Sequence, residues 1–150
     1  MGVLTEVENT LSVTNMSNSA RFIVIDDDPL NNTICRLTIK KALGGVDVKT
    51  FTDATQGLQY IDQEYSNPES ADAATVLFLD INMPIMNGWE FLEKYECLSH
   101  SVKNSIKVYI LSSSVDDRDI EKAQSNKNIV NYLAKPITKE TILVISNPYQ

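Results

Sequence analysis

The feature that most constrains the fold is a series of short apolar runs, most of which stop abruptly at a polar residue. Within the stronger runs, apolar and polar positions do not alternate, which is typical of strands buried on both faces, as in a parallel sheet. The runs cover residues 22–25, 76–79, 108–111 and 129–133, with a weaker one at 46–51. The sequence therefore predicts five strands in a covered parallel sheet.

Helical patterns fill the gaps between these runs. Asp28 is a predicted N-cap, Pro29 suits the first helical position, and Leu30, Ile34 and Leu37 share one face of that helix. Further helical patterns lie at residues 54–65, 91–98, 116–125 and 137–146. Five alternations of strand and helix predict an α/β protein, a flavodoxin-like (βα)5 three-layer sandwich with a parallel sheet of order 2-1-3-4-5.

The length of the chain indicates the number of domains, and its charge limits the kinds of partner. With 150 residues it is about one domain long. Residues 1–20 are rich in Ser, Thr and Asn and are predicted to be an extension, either disordered or a loosely docked helix, before a domain at 21–150. A net charge of −7 argues against a nucleic-acid partner and against docking on anionic membranes.

The spacing of the cysteines and the hydropathy of the chain indicate the cellular compartment of the protein. Cys35 and Cys97 are far apart and form no CxxC motif, so we expect two reduced thiols that pack on helices. No secretory signal or membrane-spanning apolar stretch is visible in the sequence. We therefore expect a cytoplasmic protein.

Polar side chains follow the predicted strands. Asp26 and Asp27 close the first run, Asp80 the third, Ser112 the fourth, and Lys135 follows the fifth. Ligands of open α/β sheets bind beyond the carboxyl ends of the strands, where the strand order reverses. Three carboxylates there would repel one another unless a cation neutralised them, and Mg²⁺, with Mn²⁺ as an alternative, suits oxygen ligands. A carboxylate, a metal, a lysine and a hydroxyl suffice for phosphoryl transfer.

Four segments together resemble the signatures of bacterial two-component response-regulator receivers, in particular stand-alone, chemotaxis-regulator-like ones. The segments are residues 23–29, 79–88, 111–113 and 132–136. They occur in the family's order and at its usual separations, from about residue 21 to residue 145. The resemblance implies a signalling domain rather than a turnover enzyme.

The resemblance also implies roles at the acidic positions. Asp80 would be the phosphoacceptor, and Asp27 would bind Mg²⁺ directly. Asp26 would bind the ion directly or through water, and Asn82 would offer its backbone carbonyl to it. The phosphoryl donor would be a sensor histidine kinase or a histidine phosphotransfer protein, and phosphorylation would change a surface that binds an unknown downstream protein.

The remaining roles concern the phosphoryl group and the switch. Ser112 and Lys135 would contact phosphoryl oxygens, with a cis peptide before Pro136. Tyr132 occupies the aromatic position that turns inward as Ser112 moves, although a static aromatic at the core edge is an equal alternative. The polar stretch at 124–128 and the short last helix depart from the family pattern. The family's usual mode of dimer or partner binding therefore does not follow for this chain.

Three other functions remain possible from the sequence. One is a receiver-like scaffold that binds partners without phosphorylation. Another is a Mg²⁺-dependent aspartyl-phosphate hydrolase of the haloacid dehalogenase type, but such enzymes carry a second Asp where this chain has Asn82. The third is a flavodoxin-like cofactor binder, whose first loop would have to accept a phosphate beside three acids.

Overall fold

The computed structural model describes residues 20–67 and 74–147. The strands are β1 (Arg21–Ile25), β2 (Asp47–Phe51), β3 (Thr75–Leu79), β4 (Ile106–Ser112) and β5 (Ile129–Ala134). The helices are α1 (Pro29–Leu43), α2 (Ala54–Tyr65), α3 (Gly88–Glu96), α4 (His100–Ser105), α5 (Asp117–Gln124) and α6 (Lys139–Ile145). Apart from Ala20, the predicted extension lies outside the described residues.

All strand pairs are parallel, and the order β2-β1-β3-β4-β5 confirms the predicted flavodoxin-like fold. Alternate residues of β1 enter different cores. Ile23 and Ile25 pack with α2 and α3, whereas Phe22 and Val24 pack with α1 and α6. Both faces of the sheet are therefore covered, which explains the uninterrupted apolar runs.

Helix α1 begins as predicted, but its apolar stripe faces outward. The side chain of Asp28 accepts a hydrogen bond from the backbone N–H of Leu30, and Pro29 occupies the first helical turn. The side chains that face inward are Asn32, Cys35 and Ile39. Leu30 and Leu37 are 64% and 60% exposed, and Ile34 on the same face is also exposed. The predicted amphipathic face is thus a surface patch and not part of the core.

The sequence did not predict α4. Ser99 caps this short helix, and its inward side chains Val102 and Ser105 are buried. His100 is the first residue of α4, and it is exposed. The six-residue helix has too few apolar positions to produce a clear helical period.

The two cysteines differ in their surroundings. Both are free thiols, as expected. Cys35 is buried, and burial raises the pKa of its thiol to about 12. Cys97 is exposed at the C-terminal end of α3, so the prediction that it is a packing residue is wrong. Within the two described ranges, no helix combines the length and the apolar character that crossing a bilayer requires.

Candidate functional site

The acidic residues are positioned by hydrogen bonds that extend the sheet one residue beyond its strands. The backbone N–H of Asp80 donates to the carbonyl of Ile25 at 2.9 Å, and that of Asp26 donates to the carbonyl of Phe51 at 3.0 Å. Asp26 and Asp80 therefore follow directly from adjacent strands β1 and β3 and are fixed at the same sheet edge.

One carboxylate oxygen from each of Asp26, Asp27 and Asp80 lies within 4.8 Å of the other two. Asp26 and Asp80 are only 2% and 5% exposed, while Asp27 is exposed to solvent. Opposite ligands of an octahedral Mg²⁺ ion are about 4.2 Å apart, since each bond is about 2.1 Å long. The three acids thus fit an ion that is held partly through water, or directly after a small contraction.

Lys135 lies between the two buried acids. Its Nζ is 2.6 Å from Oδ2 of Asp26 and 3.4 Å from Oδ2 of Asp80. Its backbone N–H donates to the carbonyl of Ser112 at 2.9 Å, and the peptide bond to Pro136 is cis, as the resemblance implied. The end of β5 therefore directs a lysine toward the acids that follow β1 and β3.

The electrostatics of the site reflect burial and this ion pairing. Burial is the largest influence on Lys135 and lowers its pKa, but the two carboxylates together outweigh it and the pKa is raised. The pKa of Asp80 is also raised, chiefly by burial and further by the charge of Asp26. The N–H of Asn82 and the charge of Lys135 oppose that rise without cancelling it. In the folded protein without a metal ion, the ionised form of Asp80 is therefore less favourable than it is in a free side chain.

Two asparagines that the sequence reasoning missed support Asp26. Nδ2 of Asn31 donates to Oδ2 of Asp26 at 2.6 Å, and the backbone N–H of Asp28 donates to Oδ1 at 2.9 Å. Nδ2 of the buried Asn32 donates to the backbone carbonyls of Asp26 and Phe51. The signal was available: once Asp28 is the N-cap, residues 31 and 32 lie in the first turn of α1, close to the end of β1.

The loop after Asp80 is held close to β3. The backbone N–H of Asn82 donates to Oδ1 of Asp80 at 3.1 Å, and the Asn82 side chain is exposed. A Cβ atom on Gly88 would lie 2.7 Å from Cα of Ile81 and 2.8 Å from the carbonyl oxygen of Asp80. Only glycine allows α3 to begin this close to the acidic residue.

Ser112 and Tyr132 meet through Ser114. Ser112 is fully buried, and its Oγ accepts a hydrogen bond from the backbone N–H of Ser114 at 3.0 Å. The half-buried Tyr132 donates its hydroxyl to the carbonyl of Ser114 at 2.8 Å. Asp119 of α5 accepts from Oγ of Ser114 and from Nε1 of Trp89, at 3.4 and 3.3 Å. The loop after β4 is therefore linked to β5, α5 and α3, and no sequence pattern indicated the last two contacts.

The chain matches the family model of the response regulator receiver domain over residues 22–146. Among solved structures, it is similar to the response regulator receiver protein of Dyadobacter fermentans DSM 18053, at 30% identity and a TM-score of 0.73. That match covers 85% of this chain and 92% of the other. No curated protein sequence matches significantly.

Two further solved structures extend the comparison. A two component response regulator from Cytophaga hutchinsonii is 26% identical with a TM-score of 0.75, and the match covers 84% of this chain and 92% of the other. The chemotaxis protein CheY4 of Vibrio cholerae, at 22% identity and a TM-score of 0.64, shares the fold over 84% of this chain and 94% of its own. With a family match over most of its length and the fold of solved receivers, the chain belongs to the response regulator receiver domain family.

Proposed function

We propose that this receiver domain takes a phosphoryl group on Asp80, with Mg²⁺ held by Asp26, Asp27, Asp80 and the backbone carbonyl of Asn82. The observation that carries the proposal is the meeting of three carboxylates and one lysine at a single edge of the sheet. The donor is a phosphohistidine of a sensor kinase or a histidine phosphotransfer protein.

In this reaction an oxygen of Asp80 forms a bond to phosphorus while the bond from phosphorus to the donor histidine nitrogen breaks. The imidazole leaves with the electron pair of the broken bond and takes up a proton. Mg²⁺, when bound, supplies positive charge to the phosphoryl oxygens. Lys135, whose Nζ is 3.4 Å from Asp80, supplies a second positive charge from the carboxyl end of β5.

Ser112 is suited to contact the product. Its oxygen accepts a hydrogen bond from Ser114, and its own O–H group can donate to a phosphoryl oxygen. The phosphorylated side chain carries about −1.5 to −2 charges and three acceptor oxygens, so both Ser112 and Lys135 gain a new partner. The chemistry makes the domain a signalling acceptor rather than a catalyst with turnover.

Movement of Ser112 would couple phosphorylation of Asp80 to a change at the protein surface. Because the N–H of Ser114 bonds to Ser112 and its carbonyl accepts from Tyr132, a shift of Ser112 toward Asp80 changes both bonds. The equilibrium between two arrangements of the loop after β4 then shifts, and with it the surface formed by α5 and β5. A downstream protein would read this surface.

The outward stripe on α1 supports docking of the donor. Leu30, Ile34 and Leu37 lie on a helix that begins directly after the acidic loop, and all three are exposed. Ile85, five residues after Asp80, is 93% exposed. Apolar side chains beside an acidic site suit a helical partner that brings its phosphohistidine to Asp80 and buries the stripe.

The hydrolase alternative lacks a second carboxylate at the position where it is needed. Asn82 stands there, and its exposed amide has no general acid or base function. A scaffold that is never phosphorylated would gain stability from the Lys135 pairs but would have no role for the exposed Asp27 as a third carboxylate beside them. A phosphate-binding first loop is disfavoured by the negative charges of Asp26, Asp27 and Asp28, which make up that loop.

Mass spectrometry after incubation with acetyl phosphate tests the proposal. We expect wild type to gain one phosphoryl group with Mg²⁺ and none with EDTA, and Asp80→Asn to gain none. Asp53→Asn, which changes an exposed N-cap acid of α2, is the matched control and should behave as wild type. Uptake by Asp80→Asn would move the acceptor elsewhere, no uptake by wild type would favour the scaffold, and continued phosphate release on a generic substrate would favour the hydrolase.

A further inference from the structure

The carboxylate of Asp26 is held by three donors of different kinds. Oδ1 accepts from the backbone N–H of Asp28, and Oδ2 accepts from both Nδ2 of Asn31 and Nζ of Lys135, each at 2.6 Å. Each carboxylate oxygen offers about two lone-pair directions. Both directions of Oδ2 are therefore occupied, and Oδ1 retains one that can face a metal ion or its water.

Lys135 is the donor whose partner changes on phosphorylation. In the structure it pairs with Asp26 more closely than with Asp80, at 2.6 Å against 3.4 Å. A phosphoryl group on Asp80 adds negative charge on that side of the lysine, so the lysine is drawn away from Asp26. Asp26 would then lose the one cationic partner it has among residues 20–67 and 74–147, at the moment when the ion must be held.

The amide of Asn31 is held in place by the start of α1 and not by the lysine. Asn31 sits in the first turn of α1, whose start is fixed by the Asp28 cap, and its side chain is half-buried. The carboxylate oxygen it binds also lies near the positive end of the helix dipole. Unlike a lysine or arginine at this position, an amide donates a hydrogen bond without adding a charge that would repel a divalent cation.

We infer that Asn31 is a positioning residue that holds the Asp26 carboxylate for the metal ion in the phosphorylated state, after Lys135 has moved to the phosphoryl group. This inference rests on the proposed function. Asn32 acts on a different part of the same residue, because its amide binds the backbone carbonyl of Asp26 and not the carboxylate. Asn32 therefore fixes the backbone at the end of β1, whereas Asn31 fixes the carboxylate that binds the metal ion.

The test compares Mg²⁺ binding in the free protein with Mg²⁺ binding in the beryllofluoride complex, in which the beryllofluoride group on Asp80 takes the place of the phosphoryl group. Backbone amide NMR shifts report both titrations and do not depend on activity. In Asn31→Ala we expect the Mg²⁺ dissociation constant of the free protein to rise less than threefold, since Lys135 still holds Asp26. The Mg²⁺ concentration that half-forms the complex should rise about tenfold, the size expected for a lost hydrogen bond to a charged group.

Thr33→Ala is the matched control, because its hydroxyl donates to the Pro29 carbonyl on the same turn and touches no acid of the site. We expect both of its titrations to stay within twofold of wild type. An equal loss in both states for Asn31→Ala, or no loss in the complex, would overturn the role of Asn31. Failure of wild type itself to bind Mg²⁺ and form the complex would overturn the proposed function, so the two failures are distinguishable.

Wild-type protein gives a second measurement that does not depend on the folding of a variant. The side-chain NH₂ protons of Asn31 should exchange with water at least as slowly in the beryllofluoride complex as in the free protein. Faster exchange in the complex would show that the bond to Asp26 breaks on activation, and it would overturn the inference.

Discussion

Replacing Asp80 by asparagine should make the metal-free protein more stable. Asparagine has nearly the same shape, and its carbonyl can still accept the hydrogen bond from Asn82. The change removes a negative charge that is 95% buried beside Asp26 and Asp27, where the pKa of Asp80 is raised mainly by burial. Sites that bind an ion often carry such a cost when the ion is absent.

The distances give the magnitude. At an effective dielectric constant of about 20, like charges within 4.8 Å of each other repel by at least about 3.5 kcal/mol, and opposite charges 3.4 Å apart attract by about 5 kcal/mol. Lys135 therefore offsets the repulsion from Asp26, and the exposed Asp27 contributes less than Asp26 does. Because the pKa of Asp80 is nevertheless raised, the burial of its charge and the repulsion from Asp27 outweigh what these two pairs leave, and we expect a gain of about 1–2 kcal/mol for Asp80→Asn at pH 7.

The gain should depend on pH in one direction. Since the folded protein raises the pKa of Asp80 above its ordinary 3.8, the ionised carboxylate destabilises the folded state at neutral pH. That penalty is complete above the raised pKa and vanishes as the pH falls below 3.8. The stability difference between Asp80→Asn and wild type should therefore shrink as the pH falls through the raised pKa of Asp80, and it should be smaller at pH 4 than at pH 7.

Urea unfolding followed by circular dichroism in EDTA measures this difference. Asp47→Asn, at an exposed acid that begins β2, is the control and should change stability little at any of these pH values. Added Mg²⁺ should stabilise wild type more than Asp80→Asn, because the variant lacks one ligand. A variant that is less stable than wild type at pH 7 without metal, or a gain that is unchanged at pH 4, would refute the electrostatic reasoning.

Two further variants and one labelling experiment test other contacts of the structure. Lys135→Met should lower the free energy of unfolding by about 2–4 kcal/mol in urea titrations, because it leaves buried carboxylates without a cation, and a wild-type value would contradict the pairing. Gly88→Ala should cost about 1–3 kcal/mol in the same assay and weaken Mg²⁺ binding, since its Cβ would press on backbone atoms of the acidic loop; an unchanged Mg²⁺ titration would count against that contact. Iodoacetamide should label Cys97 and not the buried Cys35 in native protein, and a label on Cys35 in peptide mass mapping would disprove its protection.

Much of the fold follows from the sequence because both faces of the sheet are buried. A strand covered on two sides needs an uninterrupted apolar run, and such runs marked β1 and β3 to within a residue. The outward stripe on α1 was misjudged for a related reason. Helical spacing shows which residues share a face, but only tertiary packing decides which face turns inward, and α1 buries Asn32, Cys35 and Ile39 instead.

The acidic cluster could be predicted because topology alone brings strand ends together. Asp26, Asp80 and Lys135 each follow a strand directly, so the sheet order determines their proximity. The contact between Trp89 and Asp119 could not be found in this way, because it depends on side-chain directions from two helices and has no fixed sequence spacing. The amide of Asn31 was overlooked, although the Asp28 cap places it in the first turn of the first helix, close to the end of β1.

Chemical trapping of the phosphorylated residue tests the central claim most directly. After incubation with acetyl phosphate, borohydride reduces an aspartyl phosphate to homoserine, which peptide mass spectrometry can locate. With Mg²⁺ we expect homoserine at position 80 alone, and in EDTA we expect none. Trapping at another carboxylate, or equal trapping at position 80 without any divalent metal, would contradict the account of this acidic site.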